Sequence, residues 1–237
     1  MNRENQNSLV LAILTVGVVG VALVAACAKW ATWLEAFSFV TGAVCVWLVV
    51  RENVWNFPMG LANVTAYAIV FFEAKLYADA GLQLVYFVLG LAGWVMWSRT
   101  GDRSHSIPIV KASRAELITV LVFCFLSTAG LWTMLYHVGG SASFWDALTT
   151  SVSLGAQWLL TRKRLENWLG WILVDIVYVP LYVYKELYLT AILYAVFLCM
   201  AIIGWIEWRR VWHRSGGGSP GGEPGAWHLP REATVAS

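Results

Sequence analysis

Residues 93–99 read Gly-Trp-Val-Met-Trp-Ser-Arg, and residues 204–210, which begin 111 positions later, read Gly-Trp-Ile-Glu-Trp-Arg-Arg. Both copies of this G-W-x-x-W-x-R pattern end an apolar stretch, and basic residues follow each of them. A pattern that recurs at a fixed offset inside apolar segments of membrane length is typical of transporters built from two structural repeats. The chain is therefore predicted to contain two related halves.

The composition is that of an integral membrane protein. Of the 237 residues, 59% are hydrophobic and 13% are charged, whereas soluble domains carry about 25% charged residues. One membrane span needs about 20 apolar residues, and such segments account for nearly the whole length of the chain. An ordinary soluble globular protein is therefore excluded.

Eight apolar segments are predicted to be transmembrane helices, at residues 8–28, 33–50, 55–73, 77–98, 115–138, 142–161, 168–184 and 187–208. Helices two to four form one copy of the repeat, and helices six to eight form the other. Three helices leave the chain on the opposite side of the membrane, so helix five must cross back before a second copy can start in the same orientation. The predicted fold is an all-α membrane protein with two parallel three-helix repeats joined by a linker helix (3+1+3), plus one N-terminal helix.

The predicted organisation follows from these segments. It consists of an N-terminal helix (1–32), a first three-helix repeat (33–99), a basic loop with the linker helix (100–141), a second three-helix repeat (142–210) and a tail (211–237). The tail is rich in glycine and proline and cannot bury a core, so a disordered cytoplasmic extension is expected.

Basic residues predict the orientation. The loops after helices five and seven carry only Gly139-Gly140-Ser141 and the self-cancelling Lys185-Glu186. Because loops rich in Lys and Arg stay in the cytoplasm, the even-numbered helices are expected to end there, with both termini inside. The basic clusters are short and the net charge is +2, so nothing supports nucleic-acid binding. The residues that set the orientation are Arg99, Arg103, Lys111 and Arg114 after helix four, Arg162, Lys163 and Arg164 after helix six, and Arg209, Arg210 and Arg214 after helix eight.

Signatures of metal, cofactor or nucleotide chemistry are missing from the sequence. Cys27, Cys45, Cys124 and Cys199 lie within apolar runs without C-x-x-C spacing, which favours packing over metal binding or disulfides. There is no Walker A loop, H-E-x-x-H or G-x-S-x-G motif. The sequence therefore predicts no cofactor, no metal and no ATP hydrolysis by this chain.

Helix seven carries the clearest candidate site. Trp168, Trp171, Asp175, Tyr178 and Tyr182 are spaced by three or four residues and share one helix face. A carboxylate at a helix centre costs about 2.5–3.5 kcal/mol on insertion scales, so its presence indicates a partner or a function. Aromatic faces with a carboxylate suit a flat, positively charged organic ring. The alternative is a packed helix interface in which Asp175 bonds to a polar neighbour.

Polar residues of the first repeat complete the predicted site. Asn56 and Asn63 share a face of helix three, and the Asn63 amide can both donate and accept hydrogen bonds, as a carboxamide or a sugar requires. Gln83 is a further candidate nearer the external side, whereas Gln157 is equally well explained as a bond between helices. The predicted substrate contacts are Asn56, Asn63, Gln83, Trp168, Trp171, Asp175, Tyr178 and Tyr182.

Four motifs in order resemble the PnuC family of nicotinamide riboside transporters. They are Trp-Asn-Phe-Pro at 55–58, Tyr-Ala-Asp-Ala-Gly-Leu-Gln at 77–83, Glu-Asn-Trp-x-x-Trp at 166–171 and Lys-x-x-Tyr-Leu-Thr-Ala-x-x-Tyr at 185–194. The resemblance covers roughly residues 33–210. It implies a SWEET-like 3+1+3 fold and facilitated diffusion of nicotinamide riboside, a pyridinium nucleoside, across a bacterial inner membrane. It also implies functional coupling to a cytoplasmic kinase that traps the product by phosphorylation.

The substrate and the mode of action keep alternatives. Relatives of this fold carry thiamine, riboflavin or deoxynucleosides, and the polar residue four positions after the second Trp of the helix-seven motif varies between Asn and Asp. Here it is Asp175, and thiamine is also an aromatic cation. The other classes are an intramembrane enzyme that pairs Asp175 with a second acid, and a binding subunit that needs an energising ATPase complex. We expect a vitamin-precursor uniporter in the lipid bilayer, with homo-oligomerisation left open.

Overall fold

The structure is a computed structural model that describes residues 3–27, 33–73, 77–98, 108–138, 143–184 and 188–215. Within these ranges the chain forms eight helices and confirms the all-α fold class. The predictions for Arg99, for Arg103 and for the tail from residue 216 onward concern parts outside the described residues. The helices are α1 (Arg3–Cys27), α2 (Trp33–Val50), α3 (Asn56–Glu73), α4 (Tyr77–Ser98), α5 (Arg114–Val138), α6 (Ser143–Thr161), α7 (Asn167–Tyr184) and α8 (Tyr188–Arg214).

The predicted segments correspond one to one with these helices, and most ends agree within one residue. α1 begins five residues earlier than predicted, and α8 ends six residues later. The extension of α8 has a physical cause. Arg210 bonds to Glu207 on the preceding turn at 2.8 Å, and the Lys111 ammonium lies 4.2 Å from the centroid of the Trp212 ring. These contacts stabilise a polar end that apolar periodicity does not predict.

Four helical stretches in the described part of the chain have the length and composition to cross a membrane: residues 81–98, 114–137, 167–184 and 191–214. Leu9–Val24 and Phe39–Val50 are shorter apolar stretches. Along α5, large apolar side chains point outward, with Leu121 67% and Phe125 74% exposed. Apolar surface on this scale is unfavourable in water and stable against lipid tails.

Six of the helices form two groups, α2–α4 and α6–α8, which meet through two contacts. α3 packs between α2 and α4, and α7 packs between α6 and α8. α4 then packs on α6, and α2 packs on α8. α1 lies against α2 and α8, whereas α5 lies against α6. The interface between the groups is therefore built by α2 and α4 from one side and by α6 and α8 from the other.

The two G-W-x-x-W segments have the same packing role. The Trp97 ring meets Phe57 edge-on at 5.0 Å between centroids, and the Trp208 ring meets Trp168 edge-on at 5.5 Å. Each motif glycine leaves room for the large ring from the neighbouring helix. A Cβ at Gly204 would lie 2.5 Å from the Trp168 ring, and a Cβ at Gly93 would collide with Phe57 in the same way.

The described part of the basic loop lies along the turn between α6 and α7. The Val110 carbonyl accepts a hydrogen bond from the Leu165 amide at 3.0 Å, and the Val110 amide donates to the Lys163 carbonyl at 3.3 Å. The Ala112 amide donates to the Glu166 carboxylate at 2.7 Å. This end of the molecule is therefore ordered by loop contacts as well as by helix packing.

Candidate functional site

Three tyrosines from α7 and α8 form a stack, which we call the tyrosine cluster: Tyr178, Tyr182 and Tyr194. The Tyr182 and Tyr194 rings are stacked at 5.1 Å between centroids with 20° between their planes. Tyr178 lies 4.7 Å from Tyr194 and 5.4 Å from Tyr182. Because Tyr178 and Tyr182 are one helical turn apart, they present their rings together to α8.

The tyrosine cluster reaches the other helices through hydroxyl contacts. Tyr178 forms a side-chain hydrogen bond with Thr149 of α6. Tyr86 of α4 forms one with Ser153, one turn further along α6. Tyr67 of α3 interacts electrostatically with Tyr194. The cluster therefore bonds to α6 within its own helix group, and Tyr67 of α3 and Tyr86 of α4 bring the other group into electrostatic range of it.

Asn63 lies at the same interface, next to a glycine. Its side-chain amide donates to the Thr41 hydroxyl at 3.2 Å. A Cβ added at Gly42 would be 3.5 Å from both the Asn63 amide nitrogen and the Phe197 ring, and Phe197 lies 5.9 Å from Tyr194. An amide from α3 and an aromatic ring from α8 therefore meet α2 at the same position, at distances that would be ordinary contacts even for a Cβ.

Asp175 is the buried acid of the site. Asp175 is 5% exposed, and Tyr194 lies within electrostatic range of it. Among the residues that the structure describes, no Lys, Arg or His forms an ion pair with it. A carboxylate held in a low-dielectric interior without a counter-charge is unfavourable. A cationic ligand would relieve that cost.

The two predicted tryptophans lie nearer the start of α7 than the tyrosine cluster. Trp168 is 2% exposed and packs on Gly204 and Trp208. It precedes Asp175 by seven residues, or about 10 Å along a helix. Trp171 is half-buried against the same core. The predicted stripe on α7 therefore divides into a tryptophan part at the start of the helix and an Asp-Tyr part beyond it.

Asn56 and Gln83 occupy other positions around the site. Asn56 is buried at the start of α3, where its side-chain amide donates to the Asn53 carbonyl at 2.7 Å. Asn167 makes the same bond to the Arg164 carbonyl at the start of α7, also at 2.7 Å. Gln83 is half-buried on α4, one turn before Tyr86. The Asn56 side chain therefore stabilises the turn that precedes α3. Gln83 lies on the helix that brings Tyr86 to the interface.

The sequence did not single out Tyr86, Tyr194, Thr149 or Ser153 as site residues. Tyr194 ends the last of the four recognised motifs, and Tyr86 follows Gln83 by one helical turn, so both had a usable signal. Thr149 and Ser153 had none, because small hydroxyl residues also pack ordinary membrane interfaces. Only the packing of α6 on α4 and α7 shows that they meet tyrosines.

The arrangement is suited to binding rather than to bond cleavage. Stacked rings and a buried carboxylate attract an aromatic cation, and the amide and hydroxyl groups can bond to a sugar or a carboxamide. Within the described ranges, no three His, Cys, Asp or Glu side chains lie close enough to hold a metal ion.

The chain is similar to known membrane transporters. Residues 32–210 match the family described as nicotinamide mononucleotide transporter. The chain is 30% identical over 203 residues to the nicotinamide riboside transporter PnuC of Escherichia coli (strain K12), covering 75% of this chain and 85% of that protein. It is 30% identical over 199 residues to the protein of the same name from Neisseria mucosa, covering 78% and 75%.

More distant similarities extend the comparison. The riboflavin/roseoflavin transporter RibM of Streptomyces davaonensis is 25% identical over 191 residues, with 77% of this chain and 86% of that protein covered. A crystal structure of the vitamin B3 transporter PnuC is similar in fold, with a TM-score of 0.69 and 26% identity. The match covers 86% of this chain and 92% of that one.

Proposed function

Because the chain belongs to the nicotinamide mononucleotide transporter family, we propose that it carries out facilitated uptake of nicotinamide riboside. It is a multi-pass membrane transporter of a small molecule and not an enzyme. The relatives support the riboside. The structural observation that carries a cationic aromatic substrate is Asp175, a buried acid without an ion-pair partner among the described residues, next to the tyrosine cluster.

The chemistry of the riboside fits this part of the protein. Its pyridinium ring carries a positive charge that can pair with the buried Asp175 carboxylate. Cation–π attraction in a desolvated site contributes about 2 kcal/mol. Its ribose hydroxyls and its carboxamide need donors and acceptors, which Asn63 and Ser153 supply. The proposed substrate contacts are Ser153, Tyr194 and those predicted from the sequence: Asn56, Asn63, Gln83, Trp168, Trp171, Asp175, Tyr178 and Tyr182.

The proposed architecture is 3+1+3 within the ranges given above, with α2–α4 and α6–α8 as the repeats, α5 as the linker and α1 as an additional helix. Three contacts each have an equivalent contact between the residues that lie 111 positions away, and these pairs of contacts support the architecture. Phe57 and Trp97 correspond to Trp168 and Trp208. The bond of Tyr86 to Ser153 corresponds to the approach of Phe197 to Gly42. The packing of α4 on α6 likewise corresponds to that of α8 on α2.

The proposed cellular setting follows from the basic clusters and from the chemistry of uptake. The chain would lie in a bacterial inner membrane with both termini in the cytoplasm. A uniporter equilibrates its substrate across the membrane, so a cytoplasmic kinase would be needed to trap the riboside as a charged phosphate. Self-association into a homo-oligomer remains part of the proposal, and the exposed apolar face of α5 offers a surface for it.

Transport by purified protein in liposomes tests the function. Labelled nicotinamide riboside should equilibrate across the membrane without ATP and without an ion gradient, whereas empty liposomes should not take it up. Accumulation that required ATP and partner proteins would identify a binding subunit instead. No uptake under any of these conditions, with folded and correctly inserted protein, would reject nicotinamide riboside as the substrate.

Thiamine is the second candidate because Asp175 can pair with any aromatic cation of suitable size. Competition during uptake separates the two substrates. Excess unlabelled nicotinamide riboside should abolish uptake of the labelled compound, and excess thiamine should leave it nearly unchanged. Stronger inhibition by thiamine than by the riboside would reverse the assignment.

A further inference from the structure

The turns that follow α2 and α6 each hold a charged residue in a rare backbone conformation. Glu52 has φ of 52° and Lys163 has φ of 51°, in the left-handed region that favours glycine. The two turns close in the same way, because the amide of the next residue bonds back to Leu48 in one turn and to Leu159 in the other, both at 2.9 Å. A charged side chain at such a position points to a contact that glycine cannot make.

The contact is an ion pair between these two residues. The Lys163 ammonium lies 3.0 Å from the Glu52 carboxylate, and its side chain is 4% exposed. The same ammonium is 4.4 Å from the centroid of the Trp97 ring. The charge of Lys163 is therefore held by an acid at the end of one helix group and by an aromatic face on the same group.

The positions of these residues place them close to the proposed repeat axis. Glu52 and Lys163 are 111 positions apart, the same offset that relates Trp97 to Trp208. Residues that a twofold axis relates contact each other only where they lie near that axis. Both pairs do so, since the Trp97 and Trp208 rings are 6.3 Å apart. Opposite charges at equivalent positions require two different halves, which a single duplicated chain can provide.

Two indole hydrogen bonds cross the interface beside the ion pair. Trp97 of α4 donates from Nε1 to the Thr161 carbonyl at the end of α6, at 3.1 Å. Trp208 of α8 donates from Nε1 to the Val49 carbonyl near the end of α2, at 3.2 Å. Each tryptophan thus binds the first helix of the other group. All of these links lie at the basic end of the molecule.

We propose that Glu52, Lys163, Trp97 and Trp208 form an inner gate that closes the basic end of the transporter and must separate once in every transport cycle. The inference rests on the proposed function, because a carrier that works by alternating access has to open this end to release its substrate. The tyrosine cluster and Asp175 lie further along the helices, so substrate bound there is separated from the basic end by the inner gate.

An ion pair suits a contact that is made and broken repeatedly. When the two helix groups meet, the opposite charges compensate each other in a desolvated position. When the groups separate, both charged groups return to water, where they are well solvated. A seam of aromatic rings alone would expose apolar surface on opening. The pair therefore keeps the closed and open states close in free energy, as a two-state element requires.

Reversible cross-linking tests the inner gate directly. The double variant Glu52→Cys/Lys163→Cys is made in a chain whose four native cysteines are replaced by alanine, and is treated with a flexible bis-methanethiosulfonate reagent. The cross-link should lower the exchange of labelled nicotinamide riboside in liposomes by about tenfold or more, because it blocks a required conformational step. A reductant should restore exchange.

The single variants Glu52→Cys and Lys163→Cys, treated with the same reagent, should exchange the substrate at the same rate as before treatment. Exchange by the cross-linked protein at its untreated rate would overturn the inner gate. Absence of exchange before any treatment would instead count against the proposed function, so the two failures are distinguishable.

A second measurement needs no substrate. Ser153→Cys, on α6 beyond the inner gate, is labelled by a membrane-impermeant maleimide in inside-out vesicles. Glu52→Gln should raise the labelling rate about threefold or more, because it should increase the population of the state in which the inner gate is open. The charge-reversed pair Glu52→Lys/Lys163→Glu should return the rate toward that of the unaltered gate.

Glu116→Gln is the matched control. Glu116 binds Arg162 and Arg164 in the same turn as Lys163, but it belongs to α5 and does not connect the two helix groups. Its loss should leave the labelling rate unchanged. Equal rates for Glu52→Gln and for the protein with Glu52 intact would overturn the proposal, as would equal effects of Glu52→Gln and Glu116→Gln.

Discussion

The Asp175 side chain can be tested by removing its carboxylate altogether. The side chain is buried on α7 near Tyr194. Asp175→Ala should weaken binding of nicotinamide riboside by more than about 1 kcal/mol, as expected for the loss of a desolvated polar contact. Calorimetry on purified, folded protein measures the change. Unchanged affinity would remove Asp175 from the site.

Charge selectivity follows from the same residue. The reduced riboside has nearly the same shape as nicotinamide riboside but lacks the pyridinium charge. The protein with Asp175 should prefer the cation, and Asp175→Asn should narrow the ratio of the two dissociation constants by roughly fivefold or more. A ratio that Asp175→Asn leaves unchanged would mean that the carboxylate serves packing rather than recognition of charge.

The Tyr194 ring, rather than its hydroxyl, is expected to contribute to binding. It stacks on Tyr182 and meets Phe197 edge-on. Tyr194→Phe should keep affinity within about twofold, whereas Tyr194→Leu should lose about 1 kcal/mol of cation–π attraction. Thermal melting of both variants serves as the control, since aromatic pairs also stabilise the fold by about 0.5–1.5 kcal/mol. Equal affinities for Tyr194→Phe and Tyr194→Leu would exclude a stacking role.

Among the elements, α8 depends on a glycine to approach α7. A Cβ at Gly204 would lie 2.5–2.6 Å from three atoms of the Trp168 ring, and that ring also meets Trp208 edge-on, one turn further along α8. Gly204→Ala should therefore destabilise the protein by about 1–3 kcal/mol, the usual cost of overpacking a core. A lower melting temperature in detergent is the expected measurement.

Gly130 provides the matched control for that variant. It lies on α5, and nothing is found within 4 Å of a Cβ placed there. Gly130→Ala should leave the melting temperature unchanged or raise it slightly, because alanine favours a helix by up to about 1 kcal/mol over glycine. Similar losses of stability in both variants would show that the Trp168 contact does not determine the effect.

The helices were predictable from sequence because apolar length is a local property, whereas the site was predictable only in part. The spacing of Asp175, Tyr178 and Tyr182 on one helix face is fixed by α7 alone. Their neighbours Tyr86 and Tyr194 come from α4 and α8, and periodicity within one helix contains no information on which helices meet. The G-W-x-x-W repeat indicated two related halves, but not that each tryptophan bonds to the opposite half.

At the scale of the whole molecule, the basic clusters predict which end faces the cytoplasm. Ser98 ends α4 on the side of Arg162 and Arg164, and Tyr184 ends α7 at the other side; both are exposed. With the native cysteines replaced, Tyr184→Cys should react with an impermeant maleimide added to intact cells. Ser98→Cys should react only after the membrane is opened, because cytoplasmic loops carry the basic residues.

This labelling experiment separates the proposed topology from its inverse, since an inverted protein would show the opposite pattern. If all eight helices cross the membrane, as proposed, both termini lie on the Ser98 side. Protease added to inside-out vesicles should therefore remove tags attached to either end of the chain, and should leave them intact in sealed cells. Tags cleaved from opposite sides would mean that an odd number of helices crosses the membrane. If α5 were the helix that does not cross, the two repeats would have opposite rather than parallel orientations.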